Sequence, residues 1–230
     1  MTAAELASKI DHTILKPEAT LAEVQRILAE AIQYRFASAC IAPTFVKMGA
    51  GVLHPAGVRC CAVIGFPHGT SKSTVKAIVA TSCIKDGADE IDIVAHLPNL
   101  LNQDVDAARA ELMEIVRAAR AARRDVLIKV IVESALLLSQ GADLGEARIA
   151  AACRAVRESG CDFIKTSTGF HPAGGASLQA IQLMKKHADS LLIKAAGGIR
   201  DLATAQAMLA AGADRLGMSA SVAVVSQLRG

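Results

Sequence analysis

Tryptophan is absent from this 230-residue chain, tyrosine occurs once, and aromatic residues make up only 3%. β-Sandwiches favour aromatic and β-branched residues, so this poverty argues against one. No stretch approaches 18 consecutive apolar residues, which excludes a membrane-spanning helix. The N-terminal stretch, residues 1–13, lacks a basic segment followed by an apolar core, so no secretory signal is expected. There is no block of Lys and Arg, and the net charge is only +3. No nucleic-acid partner is therefore expected. The six cysteines (Cys40, Cys60, Cys61, Cys83, Cys153, Cys161) sit inside apolar runs, and no pair has C-x-x-C spacing. They read as reduced, buried residues of a cytoplasmic protein. A zinc site needs clustered Cys and His ligands, and the histidines (12, 54, 68, 96, 171, 187) are scattered, so no metal is expected. No Ser/Gly/Pro-rich linker interrupts the chain, and residues 1–230 are expected to form a single domain.

What is present is apolar surface. Hydrophobic residues make up 52%, and 45 residues are alanine. Disorder is excluded by that content, and alanine-rich helices covering short Ile/Val strands fit it. One unit recurs. Asp86-Gly87-Ala88-Asp89-Glu90-Ile91, Ser159-Gly160-Cys161-Asp162-Phe163-Ile164 and Ala211-Gly212-Ala213-Asp214-Arg215-Leu216 share Gly, a small residue, Asp and then an apolar run. Each follows an amphipathic stretch, as a helix does when it ends on a left-handed Gly and turns into a strand. Spacing of 3.6 residues predicts helices over 20–34, 73–86, 104–122, 143–159, 177–188 and 201–211. Thr20 and Glu23 make a capping box for the first of these. Short runs between them, near 36–41, 59–65, 90–95, 126–132, 162–167, 191–195 and 214–218, read as strands buried on both faces, with Ile10–Leu15 a weaker eighth. Eight strands alternating with helices predict a (β/α)8 barrel. An open doubly wound sheet is the alternative, but its G-x-G-x-x-G fingerprint is missing.

Three of these strands carry a lysine where a buried strand should have none: Lys129, Lys165 and Lys194. A single such lysine can lie on an edge strand with its stem snorkelling. Three consecutive strands cannot all be edges. In a parallel barrel, inward positions on neighbouring strands share a layer, so Lys165 and Lys194 are expected to project into one cavity. Two ammoniums about 7 Å apart repel by roughly 2.4 kcal/mol at an effective dielectric of about 20. A neutral amine made this way can attack a carbonyl to form a Schiff base. Alternation in Glu90-Ile91-Asp92-Ile93-Val94 turns Asp92 away from the isoleucines and into the barrel, as a proton relay or as a salt-bridge partner of a lysine. Asp11 and Glu133 are further interior candidates. Glycine-rich loops follow the late strands, at Thr168-Gly169, Gly174-Gly175 and Gly197-Gly198, and the last strand runs into Met218-Ser219-Ala220-Ser221. Barrels often bind phosphate in such loops, so a small phosphorylated carbonyl compound is the expected ligand.

These residues resemble the deoxyribose-phosphate aldolase family over nearly the whole chain. The blocks are 10–17 (IDHTILKP), 39–43 (ACIAP), 63–67 (VIGFP), 89–92 (DEID), 129–133 (KVIVE), 165–170 (KTSTGF) and 194–200 (KAAGGIR), in that order. The resemblance implies a barrel that needs no cofactor and is often a homodimer. It implies a class I aldolase that reversibly cleaves 2-deoxyribose 5-phosphate to acetaldehyde and glyceraldehyde 3-phosphate, in deoxynucleoside catabolism. Lys165 is then the Schiff-base lysine, Lys194 the neighbour that lowers its pKa, and Asp92 part of the proton relay. Gly169, Gly198 and Ser219 match phosphate positions, with Thr168 beside them. Cys40 is placed near the site as an aldehyde-sensitive thiol. Lys129 either adds positive charge to the site or holds Glu133.

The chain departs from the family pattern at 94–99 (VAHLPN), at Ala42, at His171-Pro172-Ala173, and at Ala220, where the family usually has serine. Losing that hydroxyl removes a phosphate contact worth about 1.5–3 kcal/mol, so relaxed selectivity towards unphosphorylated aldehydes is expected. Two competing readings stand beside this one. Another Schiff-base barrel, such as a transaldolase-like enzyme, would differ in its donor. A noncatalytic phosphosugar-binding barrel would form no imine.

Overall fold

The structure is a computed structural model and describes residues 1–228. Eight parallel strands close into a barrel in the order of the chain: β1 Ile10–Thr13, β2 Ser38–Ile41, β3 Arg59–Ile64, β4 Glu90–Val94, β5 Leu127–Ile131, β6 Phe163–Lys165, β7 Leu192–Ala196 and β8 Arg215–Met218. The expected (β/α)8 barrel is what the residues build. Closure follows from β1 pairing with both β2 and β8.

The six expected helices are present as Leu21–Tyr34, Ser73–Lys85, Val105–Ala122, Ala142–Glu158, Leu178–His187 and Leu202–Ala210. Leu21–Tyr34 starts at the Thr20–Glu23 capping box, with Thr20 N–H donating to Glu23 Oε2 at 2.9 Å and Glu23 N–H to Thr20 Oγ1 at 3.3 Å. Its buried face is Val24, Ile27, Leu28 and Ala31. Ile, Val, Leu and Ala from both layers pack between strands and helices, where the main core lies. Inside the barrel a smaller apolar cluster contains Cys40, Cys61 and Val63.

The repeated turn has a mechanical purpose. Its glycines, Gly87, Gly160 and Gly212, have φ of 110°, 82° and 116°. Each aspartate that follows then reaches back to the preceding strand. Asp89 accepts from Cys60 N–H at 2.8 Å, Asp162 from Ile128 N–H at 2.7 Å and Asp214 from Ile193 N–H at 2.8 Å. A carboxylate on a backbone N–H is a charge-assisted bond. The three turns thus fasten the strands that carry Asp92, Lys129, Lys165 and Lys194.

Candidate active site

The parallel register places Asp92 beside Lys129 and Lys165 beside Lys194. Since side chains alternate along a strand, these four enter the barrel together. Asp92 sits at their centre. Its Oδ2 accepts from Lys165 Nζ and Lys194 Nζ, both at 2.7 Å, and its Oδ1 from Lys129 Nζ at 2.9 Å and Cys61 Sγ at 3.3 Å. A second carboxylate holds each of two lysines. Lys194 Nζ lies 2.5 Å from Asp11 Oδ2, and Lys129 Nζ lies 2.6 Å from Glu90 Oε2. Arg215 closes the layer below, donating to Asp11 Oδ1 at 2.6 Å and to Glu90 Oε1 at 3.3 Å. Among the described residues, Lys165 Nζ pairs with one carboxylate, Asp92. It is also the member of the cluster that reaches open space, in the wall of a cavity of about 410 Å³.

Burial and charge compete at each group. Burial pushes the Asp92 carboxyl up, but the ammoniums of Lys129, Lys165 and Lys194 outweigh it and hold it well below the usual carboxylate range. Burial also disfavours the charged form of Lys194, yet Asp11 and Asp92 raise it above an ordinary lysine. Lys129 is raised likewise, against its burial, by Asp92, Cys61, Glu90 and Asp11. Asp11 is lowered: Lys194, Lys129 and Arg215 overcome its burial.

This corrects one expectation. Lys165 and Lys194 do meet in one site, but not as two bare amines repelling each other. A shared carboxylate oxygen stands between them, and Lys194 is fixed as a cation by two carboxylates. Lys129 does not hold Glu133. It holds Asp92 and Glu90, wholly buried, with no wall of the cavity. Cys40 is likewise fully buried and is not part of the cavity lining. Its thiol is lowered by a hydrogen bond with Cys61, against the effect of burial. Among the described residues, Cys40, Cys61 and Asp92 form one group of potential metal ligands, within 4.8 Å of one another. Three ammoniums already occupy the Asp92 oxygens, so a cation placed there would meet like charge.

Residues 6–226 match the family of DeoC/LacD family aldolases. The chain belongs to that family. It is 45% identical to the deoxyribose-phosphate aldolase of Mycobacterium tuberculosis, over 99% of this chain and 97% of that one. It is 46% identical to the deoxyribose-phosphate aldolase of Mycobacterium avium, over 99% and 98%. Among solved structures, the tetrameric deoxyribose phosphate aldolase from Aeropyrum pernix superposes with a TM-score of 0.89 at 31% identity, covering 100% of this chain and 93% of that one.

In this family aldolase the cavity is lined by Thr168, Gly169, Gly198 and Ser219. Charged residues from before and within helix Leu21–Tyr34 also line it: Lys16, Glu23 and Arg26. Arg200 also lines the cavity. Sequence reasoning did not single these out, because they stand on loops or on a helix end rather than on strands. Glu90 and Arg215 were legible by alternation, since Glu90 has the parity of Asp92 and Arg215 that of Gly217. Glu133 takes a left-handed φ of 52° and accepts from Thr168 N–H at 2.8 Å. It therefore braces the loop after β6 without touching the lysines. His96 and His171 stand apart from the cavity lining, making bonds to Asn99 and to Ala173 N–H.

Proposed function

We propose that the chain is a class I aldolase that reversibly cleaves 2-deoxy-D-ribose 5-phosphate to acetaldehyde and D-glyceraldehyde 3-phosphate. The observation that carries this reading is the charge distribution around Asp92. Three carboxylates (Asp11, Glu90, Asp92) face four cations (Lys129, Lys165, Lys194, Arg215) inside the barrel. A fifth cation, Arg59, reaches Glu90 from solvent. Lys165 is the amine of this set that opens on the cavity, and Asp92 beside it can take up one of its protons. A neutral amine there is a nucleophile.

In the synthetic direction, the Lys165 nitrogen bonds to the carbonyl carbon of acetaldehyde. The carbonyl oxygen takes one proton from the nitrogen and the proton that Asp92 accepted from Lys165, and leaves as water, so that an iminium remains. The iminium draws electrons from the neighbouring C–H bond. A proton departs, and an enamine forms. Asp92, 2.7 Å from the reacting nitrogen, is the proton acceptor, working with water. Lys194, fixed as a cation, keeps Asp92 ionised and steadies negative charge that develops on oxygen. The enamine carbon then bonds to the aldehyde carbon of glyceraldehyde 3-phosphate, which takes up a proton. Water hydrolyses the new iminium and releases the sugar phosphate. Backbone at Gly169 and Gly198, with Thr168 and Ser219, holds the phosphate end.

The similar mycobacterial enzymes support the substrate, and six free cysteines suit a reducing cytoplasm. The physiological direction is cleavage, in deoxynucleoside catabolism. We propose further that residues 1–230 act as one catalytic domain and that two copies associate, which light scattering on the purified protein measures. The deciding experiment for the chemistry is borohydride reduction in the presence of acetaldehyde, followed by peptide mapping. It is expected to label the peptide containing Lys165 and to leave Lys165→Leu unlabelled. Labelling elsewhere, or turnover of dihydroxyacetone donors in place of acetaldehyde, overturns the reading.

A further inference from the structure

His12 is buried, carries two hydrogen bonds, and takes no part in the chemistry above. Its strand β1 alternates, so Asp11 points into the barrel and His12 points out, beneath helix Leu21–Tyr34. His12 Nε2 lies 2.7 Å from Glu30 Oε2, and Nδ1 lies 2.9 Å from Ser221 Oγ. The chain of contacts continues at both ends. Arg26 donates to Glu30 Oε1 at 2.6 Å, and Ser221 Oγ lies 3.0 Å from the Met218 carbonyl oxygen. Arg26, Met218 and Ser219 all line the cavity. A single polar line therefore runs from one wall of the cavity, through the back of β1, to another.

The partners decide the proton positions. A carboxylate has no proton to give, so Glu30 fixes the imidazole proton on Nε2. Nδ1 is then an acceptor, and the Ser221 hydroxyl has two possible acceptors, Nδ1 and the Met218 carbonyl oxygen. Ser221 is fully buried, and so is His12 to within 1%. No water competes for the bond. Backbone register adds to this, because His12 pairs with Met218 across β1 and β8. The ring of Phe36, with its centroid 5.0 Å from that of His12, limits tilting of the imidazole.

We propose that His12 is a positioning residue for the anionic end of the substrate: through Ser221 it sets the Met218–Ser219 wall of the cavity. The inference rests on the aldolase reading of the same cavity. It assigns a function to the network Arg26–Glu30–His12–Ser221 that is separate from carbon–carbon chemistry. Losing it should weaken the hold on phosphate and leave the lysine cluster intact.

Asn and Gln separate the two ends of the imidazole, since the Asn amide reaches the position of Nδ1 and the Gln amide that of Nε2. The test measures kcat and KM for 2-deoxyribose 5-phosphate and for unphosphorylated 2-deoxyribose in wild type, His12→Gln, His12→Asn and Ser221→Ala. Loss of a buried hydrogen bond corresponds to about tenfold in an equilibrium. His12→Gln and Ser221→Ala should each raise KM for the phosphorylated sugar about tenfold. KM for 2-deoxyribose, and kcat for both sugars, should stay within about twofold. His12→Asn should restore most of the phosphorylated-sugar KM.

An equal fall in kcat/KM for both sugars, or no change in either, overturns the inference, as does failure of His12→Asn to outperform His12→Gln. If the His12 variants do not fold, Ser221→Ala makes the same test alone. Borohydride labelling of wild type with acetaldehyde, run in parallel, reads the chemistry separately. Labelled wild type with an unshifted ratio defeats only the role of His12, whereas unlabelled wild type defeats the aldolase reading.

Discussion

The cavity wall beyond β8 shows how much specificity a single side chain can carry. Ser219 is exposed and lines the cavity, whereas the next position is Ala220, which offers a methyl where a hydroxyl could bond to an anion. A hydrogen bond to a charged group contributes about 1.5–3 kcal/mol. Ala220→Ser should therefore raise kcat/KM for 2-deoxyribose 5-phosphate relative to 2-deoxyribose by about 10-fold or more. Paired kinetics on the two sugars check this, and a ratio that does not move shows that Ala220 lies outside reach of the phosphate. At the same scale, alternation in Glu90-Ile91-Asp92 made Asp92 legible as an inward carboxylate. The partner of Lys129 was not legible. Register, not local pattern, sets Lys129 beside Asp92 on β4 rather than near Glu133 at the end of its own strand.

Elements were read correctly where the apolar period was strong and misread where tertiary contact overrides propensity. Helix Val46–Leu53 was not expected, because Met48-Gly49-Ala50-Gly51 is a poor helix former. Gly49 packs closely there: a Cβ on it would lie 2.6 Å from Ile41 Cδ1 on β2, so the end of that side chain would have to shift. Helix Ser73–Lys85 was expected, but its inner face was not. It buries Lys76, whose Nζ donates to the Val94 carbonyl at 2.7 Å and to Glu111 at 2.6 Å, while Ile78 is 69% exposed. The recurring Gly-small-Asp turn was legible as a helix end, and its aspartate turns out to be a strand clamp. Asp214→Ala isolates that effect, because Ile193 N–H is the partner it would lose on β7, next to Lys194. Urea unfolding should show a loss of about 1.5–3 kcal/mol, with KM nearly unchanged. A stability within 0.5 kcal/mol of wild type, a typical margin for surface substitutions, would show that the clamp contributes nothing.

Across the whole molecule, a closed barrel seals charged groups from water, so their sum matters as much as any pair. Removing one partner of a buried pair costs about 3–5 kcal/mol, because the remaining charge stays buried alone. Lys194→Leu strips Asp11 and Asp92 of a shared cation and should lose about that much. Lys165→Leu removes the lysine that borders the cavity and pairs with Asp92 alone among the carboxylates of the described residues. Lys129 and Lys194 still hold Asp92, so stability should stay within about 1 kcal/mol of wild type while activity disappears. The pH dependence follows from the same balance. Asp11 and Asp92 are lowered in the fold, so their contribution is present above the ordinary carboxylate pKa of about 3.9 and is lost as pH falls through the lowered values. Lys129 and Lys194 are raised, so theirs is present below the ordinary lysine pKa of about 10.4 and is lost only as pH rises through the raised values. This cluster should therefore give a flat stability from about pH 5 to pH 9. In Lys194→Leu, Asp11 and Asp92 lose a cation that held them down. Their folded pKa values should rise towards the unfolded ones, and the acid limb should flatten. Urea midpoints measured from pH 3 to pH 10 on wild type and both lysine variants decide the matter. Equal losses in Lys165→Leu and Lys194→Leu would mean that the barrel does not distinguish a lysine held by one carboxylate from a lysine held by two.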